Sequence, residues 1–525
     1  MRIENHESRT RNYRSIARVT SATLGVSASL LLLLLIGSGM AQDVPALQEL
    51  GKRIFFDNIS NPPRQSCSTF HEAENGWTGG VAGINKKGVA VPGANPHTVG
   101  GRKPPSNAYA SFSPPFGTRP ATNPNPFPNP APPADSFFCS QGSGFLCFGG
   151  VFWDGRAEGN ATPLIAPPNV TGTGATPHVG VEIFETEAQK LAYGGFIGPV
   201  ADQALGPFPN DVEQNVPDGN DGGLPGAGAV CRHVNSANYA ELFTKAWDEP
   251  IDCGAPNVAI SFKRIALAIA AWQHSDEVNS FSSKRDQGIR NGGVFPLPNL
   301  TNQENLGRDL FYGKNDSGLN RFVDDGSGGL TPKNAGCAAC HNSHGAGSVG
   351  NELNQIYSDF AYHHIGLPAN VEIENFDPNN VDAGMLGHTD PNALFNPADP
   401  TATPLAGHVK TPTLRNVDKR RGNGFPKAYM HNGYFKSLEQ VVHFYNTSVL
   451  LRNPITCPAG TTAAQAMARN CWPVPEFDTP NQSGNFGLLG NLGLTADEEA
   501  ALVSYLKTLT DTVTPKQPQP YNAAQ

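Results

Sequence analysis

Residues 337–341 read Cys337-Ala338-Ala339-Cys340-His341, and no other stretch constrains the chain as tightly. Two thiols at that spacing reach the two vinyl groups of a haem, and the adjacent histidine ligates the iron. A zinc half-site or a redox CxxC would use the same spacing, but structural zinc asks for a second ligand pair at metal spacing. The expected cofactor is therefore a c-type haem.

The other cysteines fit an oxidising compartment. Six of the nine fall into close pairs, Cys139 with Cys147, Cys231 with Cys253 and Cys457 with Cys471, for which disulfides are expected. The N-terminus agrees. Arg9, Arg11, Arg14 and Arg18 precede an apolar run containing Leu30 to Leu35, and small residues follow to Ala41. That order is the one of a cleaved signal peptide over 1–41, with an uncleaved anchor as the alternative. The chain is thus expected in the periplasm, with no stable membrane insertion after cleavage. A net charge of −9 without a basic stripe excludes nucleic acid as a partner and suits a small basic electron donor. With 57 glycines and 46 prolines, long loops are expected.

The ninth cysteine is Cys67, in Cys67-Ser68-Thr69-Phe70-His71, the same motif with Phe70 in place of the second thiol. An internal repeat gives it weight. Leu50-Gly51-Lys52-Arg53-Ile54-Phe55-Phe56 precedes Cys67, and Leu306-Gly307-Arg308-Asp309-Leu310-Phe311-Tyr312 precedes Cys337. Both have the apolar spacing of an amphipathic helix, the second opening on a Thr301–Glu304 capping box. Helices are also expected over Val258–Trp272 and from Thr495 to about Leu509, with Thr495 and Glu498 as a second capping box. The fold class is mainly α: two cytochrome c-like haem domains, 42–295 and 296–512, with long loops and insertions. Residues 275–300 read as a polar connection, 104–134 as a Pro-rich loop, 158–195 as an insertion and 513–525 as a disordered tail. In the alternative reading the first unit has lost its haem and His71 is a core histidine.

Several segments occur in an order that resembles the di-haem cytochrome c peroxidase family, which includes the MauG-type enzymes that oxidise tryptophan in a partner protein. They are Cys67 to Gly79, Phe152-Trp153-Asp154-Gly155-Arg156-Ala157, Lys410-Thr411-Pro412-Thr413-Leu414-Arg415-Asn416, His431-Asn432-Gly433 and Leu438-Glu439-Gln440-Val441-Val442. The resemblance implies an N-terminal haem that meets peroxide, ligated by His71, and a C-terminal haem that stores and passes electrons, ligated by His341 with Tyr445 opposite. It implies Glu213 as acid–base and Gln203 as its hydrogen-bonding neighbour, Trp153 as a relay between the haems, and His431 as a haem-pocket residue. Without the resemblance, Glu213 reads as a solvated loop carboxylate and Trp153 as core. His363 and His364 match a family His-Asn pair and receive no chemistry.

Three departures bear on function. The histidine that often blocks the first iron at rest is missing near Lys87, the nearest being His97, so that iron is expected to be open. Gly101-Arg102 is followed by Lys103 where the family has a calcium-ligating asparagine; an ammonium cannot ligate a cation, so calcium is not expected. Fourteen residues past His431 stands Tyr445, where peroxidases of the family usually carry methionine; Met430 is the alternative ligand. The expected function is reduction of hydrogen peroxide with electrons from a cytochrome c or cupredoxin. The alternatives are a MauG-type enzyme acting on a protein side chain, and an electron carrier with a degenerate first site.

Overall fold

The computed structural model describes residues 42–116, 147–159, 177–217, 224–342, 354–374, 376–377, 381–382, 384–385, 394–395, 406–477 and 489–521. The signal-peptide expectation, Cys139, the Pro-rich stretch beyond residue 116 and the centre of the 158–195 insertion lie outside the described residues. Among the described residues, helices carry the fold. Strands occur only as three two-stranded antiparallel pairs: Phe322–Asp324 with Leu330–Pro332, Tyr362–His363 with Val409–Lys410, and Val381–Asp382 with Leu394–Phe395. No helix among them is long and apolar enough to cross a membrane.

Two helix pairs frame the molecule, and each contains one copy of the repeat. Val44–Phe56 opens on Asp43, whose carboxylate accepts from Ala46 N, and buries Leu47, Leu50, Ile54 and Phe55 against Val258–Gln273. Asn302–Tyr312 opens on the Thr301–Glu304 capping box and packs on Ala496–Lys507, which opens on the Thr495–Glu498 box. Both crossings happen at the glycine of the repeat. A Cβ built on Gly51 would lie 1.8 Å from the Ala268 carbonyl oxygen, and one on Gly307 would lie 2.0 Å from that of Ala501. Glycine inside a helix costs about 1 kcal/mol relative to alanine, so its role here is close backbone approach. Gly307→Ala is expected to destabilise the holoprotein by about 1–3 kcal/mol through overpacking. An unchanged unfolding midpoint would show that the helices spread without strain.

Behind each pair lies an apolar cluster. In the first, Phe55, Trp77 and Trp272 meet ring to ring at 4.8–5.9 Å. In the second, Phe311 meets Tyr357 and Tyr505 at 5.8 and 5.6 Å. The disulfides Cys231–Cys253 and Cys457–Cys471 form, and Cys67, Cys337 and Cys340 are free.

One segment goes beyond the sequence reading and one differs from it. The connection 275–300 is polar but not solvated throughout: Ser283, Arg285 and Asp286 are buried. Buried charge must be paired, and Arg415 supplies the pair, with Nη1 2.7 Å and Nη2 3.1 Å from the two Asp286 oxygens. Burial opposes ionisation of Asp286, but the Arg415 guanidinium outweighs it and holds the carboxyl below its usual range. Residues 513–521, read as part of a disordered tail, are tied down: Lys419 Nζ donates to Val513 O at 2.6 Å, and Tyr521 Oη donates to Glu241 at 2.6 Å.

Candidate functional site

The two Cys-x-x-x-His turns are built alike. Cys67–Phe70 forms one helical turn and Cys337–Ala339 a tighter one, and in each the histidine N–H returns to the first cysteine carbonyl at 2.9 Å. Each histidine then uses Nδ1 on the backbone. His71 Nδ1 lies 3.0 Å from Pro105 O and 3.2 Å from Trp77 O, and His341 Nδ1 lies 2.9 Å from Tyr357 O. Carbonyls only accept, so Nδ1 carries the proton and Nε2 keeps its lone pair. Burial favours the neutral ring, bringing His71 down to about 4 and lowering His341. A neutral imidazole with its other nitrogen anchored is the state a metal ligand needs.

Each histidine faces a cavity. The first, about 270 Å³, is lined by Phe70, His71, Trp153, Arg156, Gln203 and Glu213 among others. The second, about 220 Å³, is lined by Cys337, Cys340, His341, Met430, His431 and Tyr445 among others. One water needs roughly 10–15 Å³ by this measure, so both spaces suit a large group. The residues present fit haem in both. The second cavity has two thiols and a histidine with a free Nε2; the first has His71, which with Phe70, Gln203 and Glu213 also lines an adjoining space of about 20 Å³ where Cys67 lies. Burial pushes the Cys67 and Cys337 thiols up to about 12. The structure thus brings together every residue singled out for the sites, in two groups: Cys67, His71, Gln203 and Glu213 in one, and Cys337, Cys340, His341, Tyr445, Met430 and His431 in the other. Trp153 lines both.

Trp153 is held on a turn that glycine permits. Gly155 has φ +78° and passes so close to Tyr362 that a Cβ would lie 2.4 Å from its hydroxyl. Trp153 Nε1 donates to Lys103 O at 2.7 Å, its carbonyl accepts from Lys410 N at 3.0 Å, and its ring stands edge-on to His431 at 6.2 Å. Asp154, fully buried, is paired with Arg102 at 2.5 Å and Arg156 at 2.8 Å.

Glu213 is not a solvated loop carboxylate. It is half-buried, accepts from Asn210 Nδ2 at 3.0 Å and lines the first cavity. Burial raises its pKa, partly offset by Arg156 and the Asn210 bond. His97 is exposed and does not line that cavity. In the second cavity Tyr445, on Leu438–Thr447, is raised above the ordinary phenol value by burial and then by the nearby Cys340 and Cys337.

Sequence reasoning missed Arg156 and Asn210 beside Glu213, although Arg156 stands inside the Phe152–Ala157 motif and Asn210 between Gln203 and Glu213. It also missed Asp382, which pairs with Arg102 at 2.6 Å across 280 residues, a contact with no local signal. His363 lies 2.9 Å from Asp359; burial lowers its pKa, but Asp359 and Cys340 overcome this and bring it to about 10. His363, Asp359 and Cys340 are the one group of three among the described residues spaced for a metal ion. Cys340 is already required at the haem motif, so the group is not read as a metal site.

Comparison with known proteins agrees with this geometry. Residues 45–292 match the family described as di-haem cytochrome c peroxidase. Methylamine utilization protein MauG of Paracoccus denitrificans (strain Pd 1222) is 25% identical over 474 residues, covering 89% of both chains. Cytochrome-c peroxidase IdrP2 of Denitromonas iodatirespirans is 30% identical over 194 residues, covering 34% of this chain and 44% of that one. The crystal structure of the diheme peroxidase BthA from Burkholderia thailandensis E264 shares the fold, with a TM-score of 0.55 at 21% identity over 91% of this chain and 90% of that one.

Proposed function

Because this chain belongs to the di-haem cytochrome c peroxidase and MauG family, we propose that it is a periplasmic enzyme that reduces hydrogen peroxide with electrons relayed through a second haem. The observation that carries the reading is the first cavity, where a carboxylate of raised pKa and a neutral, backbone-anchored histidine line one space. A bound c-type haem supplies there an iron that takes peroxide and two oxidising equivalents.

The chain's own residues do the rest. His71 holds the first iron through Nε2, with Cys67 as the single thioether; Cys337, Cys340 and His341 hold the second. Peroxide needs two electrons and two protons to become two waters. Glu213 takes the proton from the inner oxygen and returns it to the leaving one, and its raised pKa suits both halves of that task. Gln203 hydrogen-bonds peroxide from the end of Pro199–Gln203. Trp153 lies on the wall that both cavities share and carries electrons between them. His431 packs against that indole and completes the second pocket.

A second reading has its own support. The likeness to MauG runs over 89% of the chain, whereas that to the cytochrome-c peroxidase runs over 34%. In that reading the oxidising equivalents go to a side chain of a partner protein. The two readings part at the side chain that would join His341 in holding the second iron. A phenolate is a harder donor than a thioether and favours ferric iron, so Tyr445 would give a low-potential haem and Met430 a high-potential one. The ferric protein is expected to lack the near-infrared sulfur-to-iron band, and Tyr445→Phe to change the spectrum of that haem. A methionine band lost in Met430→Ala and kept in Tyr445→Phe would give the ligand to Met430.

Haem per chain by intact mass, followed by peroxide addition with and without reduced cytochrome c, tests the function. Two haems with rapid turnover are expected for the peroxidase. Two haems with a long-lived oxidised state and slow turnover would transfer the assignment to the second reading. A single haem would leave an electron carrier.

A further inference from the structure

Lys103 stands on the wall shared by the two cavities, and its ammonium has no carboxylate partner among the described residues. Its backbone joins both halves of the site. The Lys103 N–H donates to His431 O at 2.7 Å, and its carbonyl receives Trp153 Nε1 at 2.7 Å. Its Nζ donates to Thr78 Oγ1, which passes its own proton to Pro104 O at 2.5 Å, and lies 3.3 Å from the same carbonyl. Those partners are neutral. A cation removed from water is costly unless an anion faces it. Two arginines of the region follow that rule, Arg102 with Asp154 and Asp382 and Arg415 with Asp286; Lys427, which lines the second cavity alone, is held instead by the carbonyls of Asn75, Asn416 and Lys419.

We propose that the Lys103 ammonium is a cationic bridge between the two haem sites, with haem carboxylates on either side of the wall as its counter-charge, and that it raises the reduction potential of the haems it faces. The inference rests on the two-haem reading above. A haem brings two carboxylates, the only strong anions that reading places in these cavities beyond the chain's own. Protein burial alone would bring the ammonium down to about 7, and a facing anion restores it. A positive charge close to haem favours the ferrous over the ferric state, because reduction removes one positive charge from the iron. Lys410, on the same wall, has Ser113 Oγ at 3.0 Å, the Phe360 and Tyr362 ring faces and the charge of nearby Asp359. Lys103 has only Thr78 Oγ1 and Pro104 O, with no ring face or carboxylate charge beside it, so it is the residue to test.

The test is a spectroelectrochemical titration of the holoprotein, after intact mass has counted two haems in each variant. A wild-type chain with one haem would overturn the two-haem reading itself and is separable from every result below. At the poise where a wild-type haem is half reduced, Lys103→Met should shift the ferric-to-ferrous ratio of at least one haem about tenfold toward ferric, or about 59 mV. Lys103→Arg keeps the charge and should hold the wild-type ratio. Two haems with unchanged ratios in Lys103→Met would overturn the proposal. So would a wild-type protein whose potentials move by the same amount on calcium chelation, since that would put a metal ion in the role. If Lys103→Met does not hold two haems, Lys103→Gln is read in its place. Failure of both neutral variants with retention in Lys103→Arg supports the need for charge; failure of Lys103→Arg as well assigns the position to shape and overturns the proposal.

Discussion

Glu213→Gln should slow the reaction of the holoprotein with hydrogen peroxide by about a hundredfold to ten-thousandfold, the usual contribution of a positioned general acid–base. The amide keeps the size of the side chain and can still accept from Asn210 Nδ2, now at 3.0 Å from Glu213 Oε1. What it loses is the ability to take a proton. Binding and haem spectra should therefore stay as in the wild type while the rate falls. The pH profile gives a second, independent signature. Burial raises the Glu213 pKa above the ordinary carboxylate value, and the acting form at the start of the cycle is the carboxylate. The wild-type rate should fall as pH drops through that raised value, and the inflection should vanish in the variant. Stopped-flow mixing with peroxide measures both. A variant that reacts at the wild-type rate would make Glu213 a bystander and would remove the main support for peroxide reduction at this cavity.

How far the chain could be read in advance depends on the range of each signal. Capping boxes are local, so the starts at Thr301 and Thr495 were legible from three-residue spacings, and both form. The repeat carried more than its apolar pattern: Gly51 and Gly307 occupy equivalent positions because two backbones cross there, a reason visible only with both helices in place. The grouping of His71, Gln203 and Glu213 on one cavity was accessible through motif order, although 132 residues separate the first from the second. Charge pairing was not accessible. Asp286 and Asp382 sit in segments of polar, loop-like composition, and nothing local distinguishes a carboxylate that will be buried against an arginine from one left in water. The tail misled for the same reason, since Tyr521 is anchored by Glu241 and Arg53 from distant helices. Lys103 was visible only as a departure from a pattern; its place on the wall between the cavities came from the fold.

Cys67→Ser should remove one haem from the intact mass of the denatured chain and leave the other. The wild type, with thioethers from Cys67 at one site and from Cys337 and Cys340 at the other, should carry two through denaturation. The two turns make the case for equivalence. In both, the histidine N–H closes on the first cysteine carbonyl at 2.9 Å, and Nδ1 is tied to backbone carbonyls. Position 70 thus corresponds to position 340, and Phe70, buried on the wall of the first cavity, brings an aromatic ring where a second thiol would stand. One vinyl group of the first haem must then remain unreacted. It stays conjugated with the porphyrin, so in alkaline pyridine one haem should absorb slightly to the red of an ordinary c-type haem. Phe70→Cys supplies the missing thiol at the motif's spacing; the mass should still count two haems, and the red-shifted component should move to the ordinary position. Cys67→Ser with an unchanged haem count would mean that the first haem is attached through a residue other than Cys67. A wild-type chain with a single haem in its native mass as well as its denatured mass would be decisive in the other direction: His71 would then be a core histidine, and the first cavity would have no iron for Glu213 to serve.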